Sequence, residues 1–170
     1  YKSFYEKRIL SNINFTVSNG QSIAIVGKSG AGKSILLKCL IGLIKPDKGS
    51  IYIDNKLINT MNFHQLQNIR SKIGMVFQFG ALFDSMTVGE NISLALKKLT
   101  KLNKDEIQQR VKNSLESVDM VETESLMPAE LSGGMKKRVG IARAIAIKPL
   151  YLFYDEPTTG LDPIMTDSIN

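Results

Sequence analysis

A glycine-rich loop at residues 27–34 carries the strongest chemical signal in this sequence. It reads Gly-Lys-Ser-Gly-Ala-Gly-Lys-Ser, which satisfies the pattern G-x-x-x-x-G-K-[ST]. Glycines let backbone amides turn toward an anion, and the start of the following helix adds a partial positive charge. Lys33 is expected to reach the β- and γ-phosphates of a nucleotide, and the Ser34 hydroxyl to bind Mg²⁺. We predict nucleotide contacts from the whole loop: Gly27, Lys28, Ser29, Gly30, Ala31, Gly32, Lys33 and Ser34.

Two adjacent acids, Asp155 and Glu156, follow an apolar run at residues 150–154. The run predicts a buried strand that ends at the acids. Adjacent carboxylates repel each other, so a divalent cation at one of them is a physical reason for tolerating both. We expect Asp155 to hold Mg²⁺ and Glu156 to polarise an attacking water. The alternative is a strand that happens to end in solvated acids.

A third motif, Leu-Ser-Gly-Gly-Met at residues 131–135, opens a predicted helix twenty-four residues before Asp155. Two glycines at a helix start leave backbone amides and the positive helix end facing outward. This predicts a second anion site, formed by Ser132, Gly133 and Gly134. The structural alternative is that Ser132 only caps the helix while the glycines allow a tight entry.

The elements around these motifs predict an α/β fold. Short apolar runs predict buried strands at residues 22–26, 73–77 and 150–154, and we expect the first and last to be parallel strands of one sheet. Alternation at residues 13–17, followed by Asn-Gly, predicts a half-buried strand and a tight turn. Helices are predicted over residues 33–43, from Asn103 with Glu106 at the third position, and from Ser132.

Composition describes an ordinary globular chain of 170 residues with 43% hydrophobic side chains. The single cysteine, Cys39, excludes a disulfide framework within the chain. No apolar run reaches the roughly 20 residues that cross a bilayer. The net charge of +6 fits nucleic acid, an anionic membrane surface or an anionic ligand such as a nucleotide. Because there is no initiator Met and residue 1 reads as the inside of an element, we expect a fragment cut at both ends.

The motif at residues 131–135 resembles the signature of the ABC ATPases, LSGGQ. Leu131 to Gly134 match it, whereas Met135 departs from the usual Gln. The resemblance implies ATP and Mg²⁺ as ligands. It also implies a head-to-tail dimer, in which Ser132, Gly133 and Gly134 of a second copy close over the nucleotide.

Other positions match the family's remaining elements. Gln78 looks like the Q-loop glutamine, which contacts Mg²⁺ or the attacking water, and Asp162 looks like the D-loop aspartate at the subunit boundary. Phe4 stands about where the family stacks an aromatic ring on adenine, and the alternative for Phe4 is a core filler. The only histidine, His64, precedes Gln78 and is not the family's switch histidine by order; we interpret it as a surface residue.

The resemblance implies one truncated ABC ATPase domain over residues 1–170, with the P-loop NTPase fold and an antiparallel β lobe. We expect residues 1–78 and 131–170 to form the RecA-like core with this lobe, and residues 79–130 a helical subdomain. Only 52 residues separate Gln78 from Leu131. This span fits a compact subdomain and disfavours the long coiled coil of chromosome-type ABC ATPases.

Three stretches look like the ATPase of Mla-type phospholipid transporters: residues 77–88, residues 131–138 and residues 154–164. The resemblance implies a membrane permease as partner, contacting the region from Gln78 to Phe83, and no nucleic acid. An exposed Leu82-Phe83 pair would suit such a contact, and a loop facing the core is the alternative. It also implies a peripheral location on the cytoplasmic face of the inner membrane, or on the stromal face of a plastid membrane. A transporter for another substrate and a soluble ABC protein acting on ribosomes or DNA stay open.

Overall fold

The computed structural model describes residues 1–78 and 80–155, arranged in two compact units, Tyr1–Ile69 and Arg70–Asn170. The second unit is described as far as Asp155, so the D-loop position Asp162 and the acid Glu156 lie outside the described residues. No helix in the described part of the chain is long and apolar enough to cross a membrane.

The first unit contains two short antiparallel hairpins and two helices. Strands β1 (Lys2–Phe4) and β2 (Lys7–Leu10) form one hairpin, and β3 (Tyr52–Ile53) and β4 (Lys56–Leu57) form the other. Asp54 and Asn55 connect the second hairpin with positive φ angles of 50° and 60°, the conformation of a type I′ turn. Along the chain, helix α1 (Lys33–Leu40) comes between the two hairpins. A 3₁₀ turn (Ile58–Thr60) after the second hairpin leads to α2 (Phe63–Arg70).

A small apolar cluster holds α1 against β2. Leu10, Leu36 and Cys39 are buried, with partly buried side chains around them. Cys39 is a buried core residue, and burial raises the pKa of its thiol. Asp47 ties the N-terminus to this unit, because its carboxylate accepts from Lys2 Nζ at 2.7 Å and from the Ser3 amide at 2.6 Å.

Residues 11–32 correct two of the predicted strands. The turn after Asn19 is present, with Gly20 at φ 75° and the Gln21 amide donating to the Ser18 carbonyl at 3.1 Å. However, residues 13–17 and 22–26 form no strand in the described structure, and Val26 is 92% exposed. A strand exists only through hydrogen bonds to a neighbouring strand, and no described strand pairs with these residues. The antiparallel strands of the first unit are therefore those of the two hairpins, β1–β2 and β3–β4.

Over its described residues, which end at Asp155, the second unit combines a parallel strand pair with three helices. Strand β5 (Ile73–Val76) pairs in parallel with β6 (Tyr151–Tyr154), so the strands predicted at residues 73–77 and 150–154 are confirmed. Helices α3 (Val88–Leu99), α4 (Lys104–Glu116) and α5 (Gly133–Ala146) follow between them, with a 3₁₀ turn (Pro128–Glu130) before α5.

Capping side chains fix where these helices begin. The predicted pair Asn103 and Glu106 forms a complete capping box at α4, and Thr87 with Glu90 does the same at α3. The three helices share one core, in which the largest fully buried apolar side chains are Val88, Ile92, Leu96, Leu115 and Val139. The division into a RecA-like core and a helical subdomain at residues 79–130 stays a prediction.

Candidate functional site

The glycine loop of the first unit has the conformation that its sequence predicts. Gly30 and Gly32 have φ angles of 77° and 97°, which side chains with a Cβ rarely adopt. A Cβ at Gly32 would also lie 2.7 Å from Cγ2 of Ile9. Gly32 is the N-cap of α1, so the chain turns directly from the loop into the helix that begins at Lys33.

The Lys33 ammonium reaches back across this loop. Its Nζ donates to the Gly27 carbonyl at 2.9 Å and to the Lys28 carbonyl at 3.2 Å. The loop is thus folded around a positive charge at the N-terminus of α1, where the helix dipole favours an anion. Ser34 lies half-buried in the first turn of α1. A phosphate oxygen would be an acceptor of the same kind as the two carbonyls that this ammonium now contacts.

The aromatic candidate Phe4 lies at the end of the β1–β2 hairpin. It is 40% exposed and lies outside the buried cluster of its unit, which argues against the core-filler alternative. The Lys2 ammonium lies 5.3 Å from the centre of its ring, and Tyr5 beside it projects fully into solvent. A flat face is therefore available at Phe4, and stacking on adenine stays a prediction.

Gln78 and Asp155 each follow the carboxyl end of a strand in the second unit's parallel pair. Val76 pairs with Tyr154 at the carboxyl ends of the parallel strands, and the Asp155 amide donates to the Val76 carbonyl at 2.9 Å. Asp155 is 7% exposed, and Gln78 follows β5 by two residues with a half-buried side chain. The carboxyl edge of a parallel sheet is where α/β folds bind ligands. The structure therefore places both predicted metal ligands after the carboxyl ends of paired parallel strands, while Glu156 lies outside the described residues.

No cluster of three or more His, Cys, Asp or Glu side chains that could hold a metal occurs among residues 1–78 and 80–155. A protein cage for a cation is therefore absent from that part of the chain. Mg²⁺ does not require one, because it is commonly held by one or two carboxylates together with substrate phosphates and waters. Ser34, Gln78 and Asp155 each carry an oxygen of the kind that Mg²⁺ prefers, and their role as metal ligands stays a prediction.

The start of α5 is capped by Ser132. The Ser132 Oγ accepts from the Met135 amide at 3.2 Å, so the capping interpretation of this serine is confirmed. A hydroxyl that accepts one bond still has a proton to donate, so capping leaves Ser132 able to contact an anion. Ser132 and Gly133 are exposed, and a Cβ at Gly133 would meet open space. The anion site at this helix end stays a prediction.

Leu82 and Phe83, in the loop that follows Gln78, differ in exposure to solvent. Leu82 packs against the helical core, whereas Phe83 is 53% exposed, so the predicted pair is split. Asn91 holds the loop from within: its Oδ1 accepts from the Phe83 amide at 2.7 Å, and its Nδ2 donates to the Phe83, Met86 and Thr87 carbonyls.

Arg143 on α5 is a second contact to this loop that the sequence did not predict. Its guanidinium donates to the carbonyls of Gly80 and Ala81. Loss of hydration lowers the pKa of Arg143, and burial also lowers the pKa of Lys137 on the same helix. The contact of Asn91 with this loop could have been predicted from sequence, because Asn91 is a polar residue on an otherwise apolar helix face.

The fold and these motifs define a P-loop domain of the α/β class. The chain belongs to the ABC transporter family, whose sequence profile matches residues 10–159. It is 43% identical to the chloroplastic protein TRIGALACTOSYLDIACYLGLYCEROL 3 of Arabidopsis thaliana, over 96% of this chain and 49% of that protein. It is 44% identical to the methionine import ATP-binding protein MetN of Brucella abortus, over 99% of this chain and 45% of that protein.

A further relative is a probable ribonucleotide transport ATP-binding protein, mkl, of Mycobacterium bovis. It is 42% identical over 97% of this chain and 46% of that protein. Among solved structures, the dimeric ATP-binding cassette MJ0796, in a post-hydrolysis state with ADP and Pi, superposes with a TM-score of 0.89 at 36% identity. That match covers 95% of this chain and 71% of the other. The chain spans about half the length of the curated relatives it matches.

Proposed function

We propose that this chain is the nucleotide-binding part of an ABC transporter subunit that binds and hydrolyses Mg-ATP. The observation that carries the proposal is the loop at residues 27–34, which folds around the Lys33 ammonium at the start of α1. A fixed cation and a helix N-terminus together favour a triphosphate. Membership of the ABC transporter family makes that triphosphate ATP.

Each residue has a definite part in the reaction. Lys33 stabilises charge that develops on the transferred phosphate, and Gln78 orients water at the sheet edge. Glu156 accepts or orients the proton of that water. Mg²⁺, when bound by Ser34, Gln78 and Asp155, supplies charge neutralisation on the phosphates. Phosphoryl transfer needs mainly positioning and electrostatic stabilisation, which this set of donors and acceptors can provide.

The nucleotide site is completed, in this proposal, by Ser132, Gly133 and Gly134 of a second copy. The exposed start of α5 has a capped serine with a proton still to donate, and open space at Gly133. A relative of the same fold has been solved as a dimer with ADP and Pi, which supports the two-copy site. The dimer is proposed to drive a membrane permease that contacts the region from Gln78 to Phe83.

Substitution of Ser132 by Asp tests the two-copy site in the complete subunit. The added charge would face the nucleotide of the other copy, so we expect ATP-driven dimerisation and phosphate release to be lost. Binding of ATP to the variant's own loop at residues 27–34 should remain within about twofold of wild type, because its Lys33 is unchanged. Light scattering and phosphate release measure the two effects. Normal dimerisation and hydrolysis by Ser132→Asp would refute the proposal.

We further propose that the cargo is phospholipid and that the subunit works peripherally on a membrane surface. Support comes from the three sequence stretches at residues 77–88, 131–138 and 154–164 that are similar to Mla-type ATPases. One relative is called chloroplastic, which favours the stromal face of a plastid membrane over the cytoplasmic face of an inner membrane. Methionine import is the second candidate, because a relative of similar identity bears that name.

The cargo is tested by reconstituting the complete subunit with its permease in vesicles. Loading the vesicles with phospholipid acceptor protein should stimulate ATP hydrolysis, whereas added methionine should have no effect. Methionine-dependent stimulation with no response to lipid would replace the first candidate by the second.

A further inference from the structure

The loop after β5 is bonded to the middle of α5 through a single arginine. Arg143 donates from Nη1 to the Ala81 carbonyl at 2.8 Å and from Nη2 to the Gly80 carbonyl at 2.7 Å. Both distances lie in the range of charge-assisted hydrogen bonds, and the two bonds use the two arms of one planar fork. The fork therefore fixes the position and the orientation of two consecutive peptide groups.

The backbones of the loop and the helix also touch directly. A Cβ at Gly80 would lie 2.5 Å from the Lys136 carbonyl oxygen, and a Cβ at Gly140 would lie 2.9 Å from the Gly80 Cα. Glycine is required on both sides of this contact. Gly80 and Ala81 also have positive φ angles of 74° and 47°, so the loop adopts a conformation that is unfavourable for Ala81 unless neighbouring contacts hold it.

The other end of the same loop is fixed from α3. Leu82 packs into the helical core, and Asn91, 1% exposed, bonds both the amide and the carbonyl of Phe83. The segment from Gly80 to Phe83 is therefore held at each end by a polar side chain of a different helix. Arg143 donates the two described side-chain hydrogen bonds from α5 to Gly80 and Ala81, in addition to the close backbone approach of Gly80 to Lys136 and Gly140.

We propose that Arg143 is a positioning residue that makes residues 80–83 and α5 move as one body. Arg143 lies eleven positions after the N-cap Ser132, which is about 16 Å at the α-helical rise. A displacement of Phe83 is thereby passed to the capped start of α5 without a flexible joint. The inference deepens the proposed function, because it names the link between the permease-facing loop and the residues offered to the second copy.

The first test measures hydrogen exchange in the complete subunit with Arg143→Met, Arg143→Lys and the control Arg110→Met. Arg110 is a matched arginine, because its Nη1 also donates to a backbone carbonyl of α5, that of Ala146 at 3.2 Å, but it does not contact the loop. Amide exchange in residues 80–83 should rise at least about tenfold in Arg143→Met while α3 and α4 keep their protection. In Arg143→Lys, the exchange rate of residues 80–83 should lie between those of wild type and Arg143→Met, because lysine keeps the charge but lacks the two-armed guanidinium. Unchanged loop exchange in Arg143→Met would overturn the proposal.

The second test separates positioning from simple support of the site. With the permease assembled, Arg143→Met should lower the permease-stimulated kcat at least about tenfold and leave the KM for ATP within about twofold. Arg110→Met should change neither value. An equal fall of basal and stimulated kcat would overturn the proposed link. If the wild type showed no stimulation by its permease, the proposed function would fail, whereas the exchange measurement would still decide the role of Arg143.

Gly140→Ala gives an independent approach if Arg143→Met does not fold. The added methyl would separate the loop from α5 while Arg143 remains present. We expect the same rise in exchange at residues 80–83 and the same loss of stimulation. A folded Gly140→Ala with wild-type exchange and wild-type stimulation would contradict the link as directly as an unchanged Arg143→Met.

Discussion

Lys33 is the residue on which the account depends most at the scale of single side chains. Its ammonium contacts two carbonyls of the loop at residues 27–34, so the charge is already positioned before a ligand arrives. The sequence pattern predicted that Lys33 lies at the start of a helix beside the glycines, and its contact with phosphate stays a prediction. A motif whose residues are neighbours along the chain can be predicted from sequence.

Substitution of Lys33 by Ala should weaken ATP binding about 10- to 100-fold, the worth of one lost set of charge-assisted hydrogen bonds. Lys28→Ala is the matched control, because Lys28 lies in the same loop, its side chain is exposed, and its contribution is a backbone carbonyl. Titration with a fluorescent ATP analogue measures both. Equal affinities of the two variants would show that the ammonium of Lys33 does not contact the nucleotide.

At the scale of elements, the sequence predicted local features well and paired features unevenly. The capping box of Asn103 and Glu106 is confirmed because its bonds span three residues. The strand predicted at residues 22–26 is wrong for the described structure, because a strand depends on a neighbour that composition does not name. The contact of Arg143 was not predicted, because it also depends on a partner that is distant in sequence. Its acceptor, the Ala81 carbonyl, lies 62 residues away along the chain.

Asn91 allows a stability prediction for the α3 element. Asn91→Leu would leave the Phe83 amide and several carbonyls without their partner in a buried place, so the free energy of unfolding should fall by about 2–4 kcal/mol. Ser114→Ala is the control, because this buried hydroxyl bonds only the Val111 carbonyl of its own helix at 2.8 Å, and its loss should cost about 1 kcal/mol or less. Urea denaturation measures both. Equal losses would contradict the role given to Asn91.

At the scale of the whole molecule, family membership is established and the chemistry is proposed. The residues and order of the motifs at 27–34, 131–135 and 155–156 resemble those of ABC ATPases, and the family match over residues 10–159 agrees with that prediction. The cargo is the part that sequence predicts least, because the relatives are named for a lipid, for methionine and for ribonucleotides at 42–44% identity. Cargo is expected to be selected by the permease, so the residues of this chain carry little information about it.

The central claim, that this chain hydrolyses ATP held at residues 27–34, is tested most directly by ATP turnover in the complete subunit with Glu156→Gln. The substitution removes the proposed proton acceptor but keeps the shape of the side chain. Phosphate release should therefore fall at least about 100-fold, while the affinity for ATP stays within about twofold of wild type and bound ATP remains unhydrolysed. Undiminished phosphate release by Glu156→Gln would contradict the account.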